Sequence, residues 1–116
     1  RLIGDPRVHF AVACTADGAV AGYVVAWYVI DEGEIANLAV GAFARGRGIG
    51  GALLDSAIAV ARDRAVASLY LEVRDSNAVA RALYASRGFL QVTRRRKYYR
   101  HPVEDALVLR LDLSPE

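Results

Sequence analysis

A glycine-rich segment between two apolar stretches is the first feature of this sequence that could do chemistry. Its residues are Arg45, Gly46, Arg47, Gly48, Ile49, Gly50 and Gly51. After it, residues 53–61 place apolar side chains at helical spacing. A glycine turn between a strand and a helix leaves backbone N–H groups free at the positive end of the helix. Because such an end binds anions, the segment predicts a site for a phosphorylated ligand.

Three kinds of phosphate-binding loop contain glycines at comparable spacing. A P-loop requires a lysine directly after its last glycine. Here Gly50 is followed by Gly51 and Ala52, which excludes that class. Residues 46–51 match the dinucleotide fingerprint G-x-G-x-x-G, but residues 41–45 separate its first glycine from the preceding strand, which disfavours it. The third interpretation is Arg45-x-x-Gly48-x-Gly50, in which glycines without Cβ atoms let the backbone approach a pyrophosphate.

Composition limits the other chemistry that is open to this chain. Its 116 residues are enough for one domain, and 54% hydrophobic with 24% charged residues is a globular balance. A net charge of +2 is too small to indicate nucleic-acid binding. The single cysteine, Cys14, excludes an internal disulfide and is predicted as a small apolar strand residue. His9 and His101 show no ligand spacing, so we expect no metal.

Hydropathy gives an expectation about location. The longest apolar run, residues 19–30, is too short to span a bilayer. No secretory signal pattern is visible in the sequence. We therefore expect a cytoplasmic protein with no membrane partner.

Hydrophobic periodicity predicts eight elements in the order βββαβαββ. The expected strands are residues 8–15, 19–30, 34–40, 68–74, 89–99 and 103–113, and the expected helices contain residues 53–61 and 77–87. The first three strands should form an antiparallel meander, and the central βαβ unit requires a parallel pair. The fold class is therefore α/β (α+β), with a mixed sheet and flanking helices.

Turn and cap residues predict where these elements end. Turns are expected at residues 16–18 and 31–33, each of which ends in glycine. Asp75 and Ser76 are the candidate N-caps of the second helix, and Gly88 is its candidate C-terminal cap.

Two groups of residues carry a resemblance to a known family. The spacing Arg45-x-x-Gly48-x-Gly50 resembles the acyl-CoA loop of the GNAT N-acetyltransferase superfamily. Later motifs resemble one branch of it, the bacterial ribosomal-protein alanine N-acetyltransferases. These motifs are Leu71-Glu72-Val73-Arg74-Asp75-Ser76-Asn77, Ala80, Leu83-Tyr84, Gly88-Phe89, Arg95-Arg96-Lys97-Tyr98-Tyr99 and Glu104-Asp105-Ala106.

The resemblance implies a single GNAT domain over residues 1–116, without the strand and two helices that usually open this fold. It implies acetyl-CoA as co-substrate, no metal, and direct attack by a protein N-terminal α-amine in a ternary complex. The implied acceptor is the N-terminal alanine of a small-subunit ribosomal protein, with no specific nucleic acid as partner. The implied cofactor-binding residues are Leu38, Ala39 and Val40 through their backbone, then Arg45, Gly46, Arg47, Gly48, Ile49, Gly50, Gly51 and Asn77.

Acetyl transfer to an amine needs a base and an acid on opposite sides of the reacting carbonyl. The resemblance implies Glu72 as the base and Tyr84 as the acid. Strand alternation places Glu72 on the same face as Tyr70. The alternative for Glu72 is a carboxylate at the rim of the sheet, paired with an arginine, and the alternative for Tyr84 is an aromatic packing residue.

The last hairpin contains the residues implied in acceptor binding. Tyr98 and Tyr99 would shape the slot for the first residues of the peptide, and Glu104 and Asp105 could attract its ammonium. The alternative is a half-exposed aromatic pair beside two solvated acids. The basic run at residues 94–97 is predicted as a solvated edge strand.

Two other functions remain open from the sequence. The chain could acetylate a small amine or a lysine side chain instead of a protein N-terminus. It could also be a non-catalytic subunit that binds acyl-CoA or a partner. Residues 8–15 would then form an exposed edge strand, and pairing of that edge with a second copy would give a homodimer.

Overall fold

The computed structural model describes residues 6–113. Within them, six strands and two α-helices follow in the predicted order βββαβαββ, with a short 3-10 helix, Ala42–Ala44, after the third strand. The elements are β1 Val8–Cys14, β2 Val20–Val29, β3 Glu32–Val40, α1 Ile49–Asp63, β4 Ser68–Arg74, α2 Ala78–Ser86, β5 Leu90–Arg100 and β6 Val103–Asp112.

All of these strands form one mixed sheet in the order β1-β2-β3-β4-β6-β5. β1, β2 and β3 form the predicted antiparallel meander, and β3 and β4 are parallel. β6 is antiparallel to both of its neighbours. α1 connects β3 to β4, because parallel neighbours need a connection that crosses over the sheet. The sheet confirms the predicted fold class and places β1 and β5 at its two edges.

The core lies between α1 and one face of the sheet. Every second residue of β4 is buried, as a sheet covered on one face requires. Leu54 of α1 is fully buried in this layer, and a side chain of this type contributes about 1.5–3 kcal/mol when buried. The hydroxyl of Tyr28 donates a hydrogen bond of 2.7 Å to the carbonyl oxygen of Ala57, which ties β2 to α1. The other face of β4 carries Tyr70 and Glu72, which are half-buried.

The turn between β2 and β3 differs from the prediction. The chain turns at Ile30 and Asp31, and residues 32 and 33 already belong to β3. Gly33 misled the prediction, because its lack of a side chain serves packing instead of turning. A Cβ at Gly33 would lie 2.8 Å from Cδ1 of Tyr28 and 2.9 Å from Cδ1 of Leu69. Glycine at this position therefore lets β3 approach the core closely.

The start of α2 also differs by one residue. The N-cap is Asn77, whose side chain accepts a hydrogen bond from the backbone N–H of Ala80 at 3.1 Å. Neither Asp75 nor Ser76 caps the helix, because both side chains contact other elements. At the other end, Gly88 follows the helix with a φ of +94°, as expected of a glycine that ends a helix.

Cys14 lies in β1, as predicted, and its free thiol is exposed. Residues 6–113 contain no group of three or more His, Cys, Asp or Glu side chains that could hold a metal ion. Among the helices described, none combines the length and the apolar character needed to cross a membrane.

Candidate active site

β3 and β4 separate near the middle of the sheet. Their parallel ladder ends where Ile35 pairs with Leu71. Beyond that point residues 37–40 pair with β2, and residues 72–74 pair with β6. An irregularity in the β2–β3 ladder lies at the same level. In the part of the chain that the structure describes, the backbone groups of residues 37–40 that face β4 have no strand partner, so a ligand can use them.

The glycine loop forms the start of α1 as predicted. Gly46 and Gly48 have φ angles of +80° and +76°, in the left-handed region that favours glycine. Gly48 is the N-cap, and the first bond of the helix joins Ala52 N–H to its carbonyl oxygen at 3.0 Å. Among the described residues, no side chain caps this end and no acid lies in the first turn. The N–H groups of residues 49–51 are therefore available to an anion.

One groove of about 650 Å³ brings the predicted cofactor residues together. It lies between the separated end of β3, the glycine loop and α2. The predicted residues in its lining are Leu38, Ala39, Val40, Arg45, Gly46, Gly48, Ile49, Gly50, Gly51 and Asn77. Arg45 is fixed in this wall by a hydrogen bond of 3.4 Å from its Nε to the carbonyl oxygen of Val40. Arg47 is exposed and does not belong to the lining.

An ion pair holds the two helices of the groove together. The Nε and Nη2 atoms of Arg87, at the end of α2, lie 3.0 and 3.1 Å from the two carboxylate oxygens of Asp55 on α1. The hydrogen bonds from Arg87 hold the pKa of Asp55 below its usual range. A Cβ at Gly51 would collide with the Arg87 guanidinium, so glycine at this position admits the pair.

Tyr84 lies at the inner end of the groove. Its side chain is 7% exposed and lines the groove, and its ring packs edge-to-face on Phe89 with 5.7 Å between ring centroids. Burial, and secondarily the nearby Tyr99, raises the pKa of the Tyr84 hydroxyl above its usual value. The phenol therefore keeps its proton at neutral pH. Tyr84 packs as an aromatic core residue and also presents a proton donor to the groove.

Glu72 lies on the other face of the sheet. It directly follows Leu71, the last residue of β4 that pairs with β3, so it borders the gap between the two strands. It lines a second cavity of about 400 Å³. Its carboxylate accepts from the Nε of Arg95 at 2.7 Å, which is the arginine pairing that the sequence left open. Glu72 and Tyr84 thus line two different cavities, and Glu72 does not belong to the lining of the groove.

Tyr98 and Tyr99 lie near the end of β5, where the β5–β6 ladder is irregular. Their rings pack edge-to-face with centroids 5.3 Å apart, and the guanidinium of Arg74 lies 4.0 Å from the centroid of Tyr99. Burial, and next the charge of Glu72, raises the pKa of Tyr99. Tyr99 therefore lies close to Glu72 as well as to Tyr84.

Glu104 and Asp105 are held in hydrogen bonds and ion pairs and are not simply solvated. The carboxylate of Glu104 accepts hydrogen bonds from Ser76 N–H at 3.0 Å and from Arg74 Nη1 at 3.1 Å. The pKa of Glu104 is lowered mainly because the backbone N–H of Ser76 donates a hydrogen bond to its carboxylate. The interpretation of Glu104 as a solvated acid is thus corrected, because it joins the β5–β6 hairpin to the loop before α2, and attraction of an ammonium stays a prediction.

Asp105 makes a second connection of the same kind. It accepts from Lys97 N–H at 2.9 Å and from Arg94 Nη1 at 2.8 Å. Arg94 also donates to Asp75 at 2.9 Å. The basic run at residues 94–97 lies on the edge strand β5, as predicted, but two of its arginines are held in ion pairs.

The sequence interpretation missed several lining residues. In the groove they include Val79 and Leu83 on α2, whose helical spacing with Ala80 is a signal that could have found them. In the second cavity they include Trp27 and Tyr70, which alternate with buried strand residues. Such outward-facing aromatic residues indicate a surface that a ligand could cover.

A mixed sheet that opens at its parallel pair beside a glycine loop defines the acyltransferase class that the sequence resembles. Residues 1–89 match the Acetyltransferase (GNAT) family. The chain therefore belongs to the GNAT acetyltransferase family, and the predicted fold is confirmed.

Individual relatives place the chain more closely within that family. It is 42% identical over 115 residues to the [Ribosomal protein bS18]-alanine N-acetyltransferase of Escherichia coli strain K12, covering 96% of this chain and 75% of the relative. The crystal structure of the ribosomal-protein-S18-alanine N-acetyltransferase from Escherichia coli superposes with a TM-score of 0.88 at 38% identity, covering 97% and 73% of the two chains. A GNAT family acetyltransferase from Elizabethkingia anophelis with acetyl-CoA bound shares the fold, with a TM-score of 0.81 at 22% identity over 92% and 77%.

Proposed function

We propose that this chain transfers the acetyl group of acetyl-CoA to the N-terminal α-amine of a ribosomal protein of the bS18 type, at an alanine. The similarity to the Escherichia coli enzyme supports the acceptor. The observation that supports the chemistry is that Tyr84 lines the groove beside residues 38–40, whereas Glu72 lines the second cavity next to the end of the β3–β4 ladder. A transfer reaction needs both a base and an acid, because one proton leaves the amine while another joins the leaving group.

The groove offers suitable groups for two parts of coenzyme A, the pyrophosphate and the pantetheine arm. The free N–H groups of residues 49–51, beside the open space at Gly48, suit a pyrophosphate. Arg45 and the exposed Arg47 add positive charge near that end. The backbone groups of residues 38 and 39 that have no partner on β4 suit the amides of the pantetheine arm. The amide nitrogen of Asn77 can donate to the same arm, since its oxygen is engaged in capping α2.

The proposed reaction assigns one proton movement to each side chain. Acetyl-CoA supplies the acetyl group as a thioester, whose carbonyl carbon the acceptor nitrogen attacks. Glu72 accepts a proton from that nitrogen as the new C–N bond forms. Tyr84 donates its hydroxyl proton to the sulfur as the C–S bond breaks. The products are an acetylated N-terminus and a free thiol, and solvent returns the proton from Glu72 to Tyr84. Each residue should contribute about 10²- to 10⁴-fold to the rate.

Physical chemistry favours an α-amine over a lysine as the acceptor. An α-amino group has a pKa of about 7.7–8.0, whereas a lysine has a pKa of about 10.4. Removing the proton from an α-amine therefore costs about 3 kcal/mol less. Near neutral pH an α-amine therefore reaches its reactive neutral form more easily than a lysine does.

Mass spectrometry of defined acceptors tests the proposal. The purified chain is incubated with acetyl-CoA and a peptide with the N-terminal sequence of bS18. Parallel reactions contain the same peptide with a blocked N-terminus and an internal lysine, or spermidine. We expect one acetyl group on the free N-terminal alanine only. The Glu72→Gln variant should lose turnover and keep coenzyme A binding. Acetylation of the lysine or spermidine instead would overturn the proposed acceptor, and binding without turnover at any amine would overturn the enzyme assignment.

A further inference from the structure

Arg95 makes a close contact with the proposed base from a different strand. Its Nε lies 2.7 Å from Oε2 of Glu72. Glu72 pairs with Val108 on β6, and Arg95 pairs with Ala106 on the same strand, so the contact crosses β6 on the face away from the helices. The side chain of Arg95 is 57% exposed, whereas that of Glu72 is 25% exposed. An ion pair this exposed adds little to fold stability, so its main consequence is where it holds the carboxylate.

The charges around Glu72 show why such a contact is needed. Among the described residues that line the second cavity, three are carboxylates, Glu32, Glu34 and Glu72, and one, Arg95, is a cation. Tyr70 also faces the cavity from β4, and Tyr99 of β5 lies close enough for the charge of Glu72 to act on it. Without Arg95 the carboxylate of Glu72 would face two like charges from β3. Repulsion would then favour rotamers that point away from them, and the carboxylate would lose its defined position.

Arg95 also has a second contact for its guanidinium. That group lies 5.6 Å from the centroid of the Tyr98 ring, within the range of a cation–π interaction. The β5–β6 ladder is irregular between Arg95 and Tyr99, so the segment after Arg95 is less constrained by sheet hydrogen bonds. An arriving ammonium can therefore take the place of the guanidinium on Glu72 while Arg95 remains held over the ring.

We propose that Arg95 is a positioning residue for the acetyl transfer, which holds the Glu72 carboxylate at the β3–β4 gap until the acceptor amine replaces it. This inference rests on the proposed function, because it assumes that Glu72 receives the proton. Arg95 does not belong to the lining of the groove, and its two described contacts are Glu72 and the ring of Tyr98, so the test must separate an effect through Glu72 from one through Tyr98.

A double-mutant cycle on kcat tests this role. Arg95→Gln should lower kcat by about tenfold, because a small displacement of a catalytic group is enough for such a loss, and should leave KM for acetyl-CoA unchanged. Arg95→Lys keeps the charge and should recover part of the rate. Arg96→Gln removes the same charge one residue along the strand and should behave as wild type. In a Glu72→Gln background, Arg95→Gln should change the residual rate by less than about twofold, because the two residues act as one unit.

The outcomes separate this inference from the proposed function. Normal turnover by Arg95→Gln, or an equal loss in the Glu72→Gln background, overturns the positioning role and leaves the proposed function standing. An equal loss in Arg96→Gln also overturns it, since the effect would then belong to charge in general. A wild-type chain that acetylates no amine overturns the proposed function, and the role of Arg95 with it.

Discussion

Replacing Gly48 by alanine tests the glycine loop most sharply. Gly48 is the N-cap of α1, with a φ of +76° and a ψ of 9°. A Cβ at this position would meet no atom within 4 Å, so the change introduces no clash. Its cost is the left-handed backbone, about 1–2 kcal/mol for an L-residue. In a domain of this size, each kcal/mol lowers Tm by about 4 °C.

Binding of coenzyme A should suffer more than stability. The Cβ of Gly48→Ala would project into the open space that we assign to the pyrophosphate, and relaxation of the strained backbone would redirect the N–H groups of residues 49–51. The loss of one hydrogen bond to a charged group costs about 1.5–3 kcal/mol. We therefore expect Kd for coenzyme A to rise by about tenfold or more. Isothermal titration calorimetry measures the affinity, and a thermal melt of the same sample measures Tm.

Gly18→Ala is the matched control for this experiment. Gly18 has a φ of +91°, and a Cβ there would also meet no atom within 4 Å. It lies in the turn between β1 and β2, outside the groove lining. This variant should lose a similar amount of Tm and keep its affinity for coenzyme A. A similar loss of affinity in both variants would refute the reasoning, as would unchanged binding by Gly48→Ala.

Three further substitutions separate binding, catalysis and stability. Gly50→Ala should raise or preserve Tm, because alanine is favoured over glycine in a helix by about 1 kcal/mol. Its Cβ would lie 3.5 Å from Leu83 and 3.6 Å from Val40, so it should narrow the groove and weaken the binding of coenzyme A measured by calorimetry. A lower Tm with normal affinity would contradict this prediction. Tyr84→Phe should lower kcat by about 10²-fold or more with unchanged affinity for coenzyme A. Because the pKa of Tyr84 is raised, deprotonation of Tyr84 should not lower the wild-type kcat below a pH of about 10. If kcat falls at lower pH in the wild type and this fall is absent from Tyr84→Phe, the assignment is contradicted. Tyr28→Phe should lose about 1 kcal/mol of unfolding free energy at neutral pH, since its hydrogen bond to α1 is removed. Burial raises the pKa of Tyr28 to about 12, so its contribution to stability is complete below the ordinary value of 10 and is lost as the pH rises towards 12. Urea unfolding across that range should therefore show a flatter pH dependence in the variant, and identical curves would contradict the prediction.

The order of elements and the glycine loop before α1 could be predicted because both depend on local signals. Alternation and helical spacing along each segment defined the strands and helices, and a βαβ unit has only one common way to form a parallel pair. The run of glycines predicted the loop before α1, and the structure adds that Gly46 and Gly48 adopt a positive φ there. The side chains of residues 38–40 and of Asn77 give no local signal, so only the resemblance predicted that they belong to one site.

Contacts between distant strands could not be predicted from the sequence. The Glu72–Arg95 pair depends on the registers of two ladders, β4 with β6 and β5 with β6, and a shift of one residue in either would put the two side chains on opposite faces of the sheet. Glu104 likewise reaches Ser76 only through those registers. Gly33 misled the prediction for a related reason. The side chains that require a glycine there, Tyr28 of β2 and Leu69 of β4, both belong to neighbouring strands.

The most direct test of the central claim is a crystal structure of this chain with acetyl-CoA. We predict that the pyrophosphate accepts hydrogen bonds from the N–H groups of residues 49–51 and that the thioester lies in the β3–β4 gap, with its sulfur towards the Tyr84 hydroxyl and its carbonyl carbon open to the side of Glu72. A pyrophosphate bound away from α1, or an acetyl group that Tyr84 cannot reach, would contradict the account.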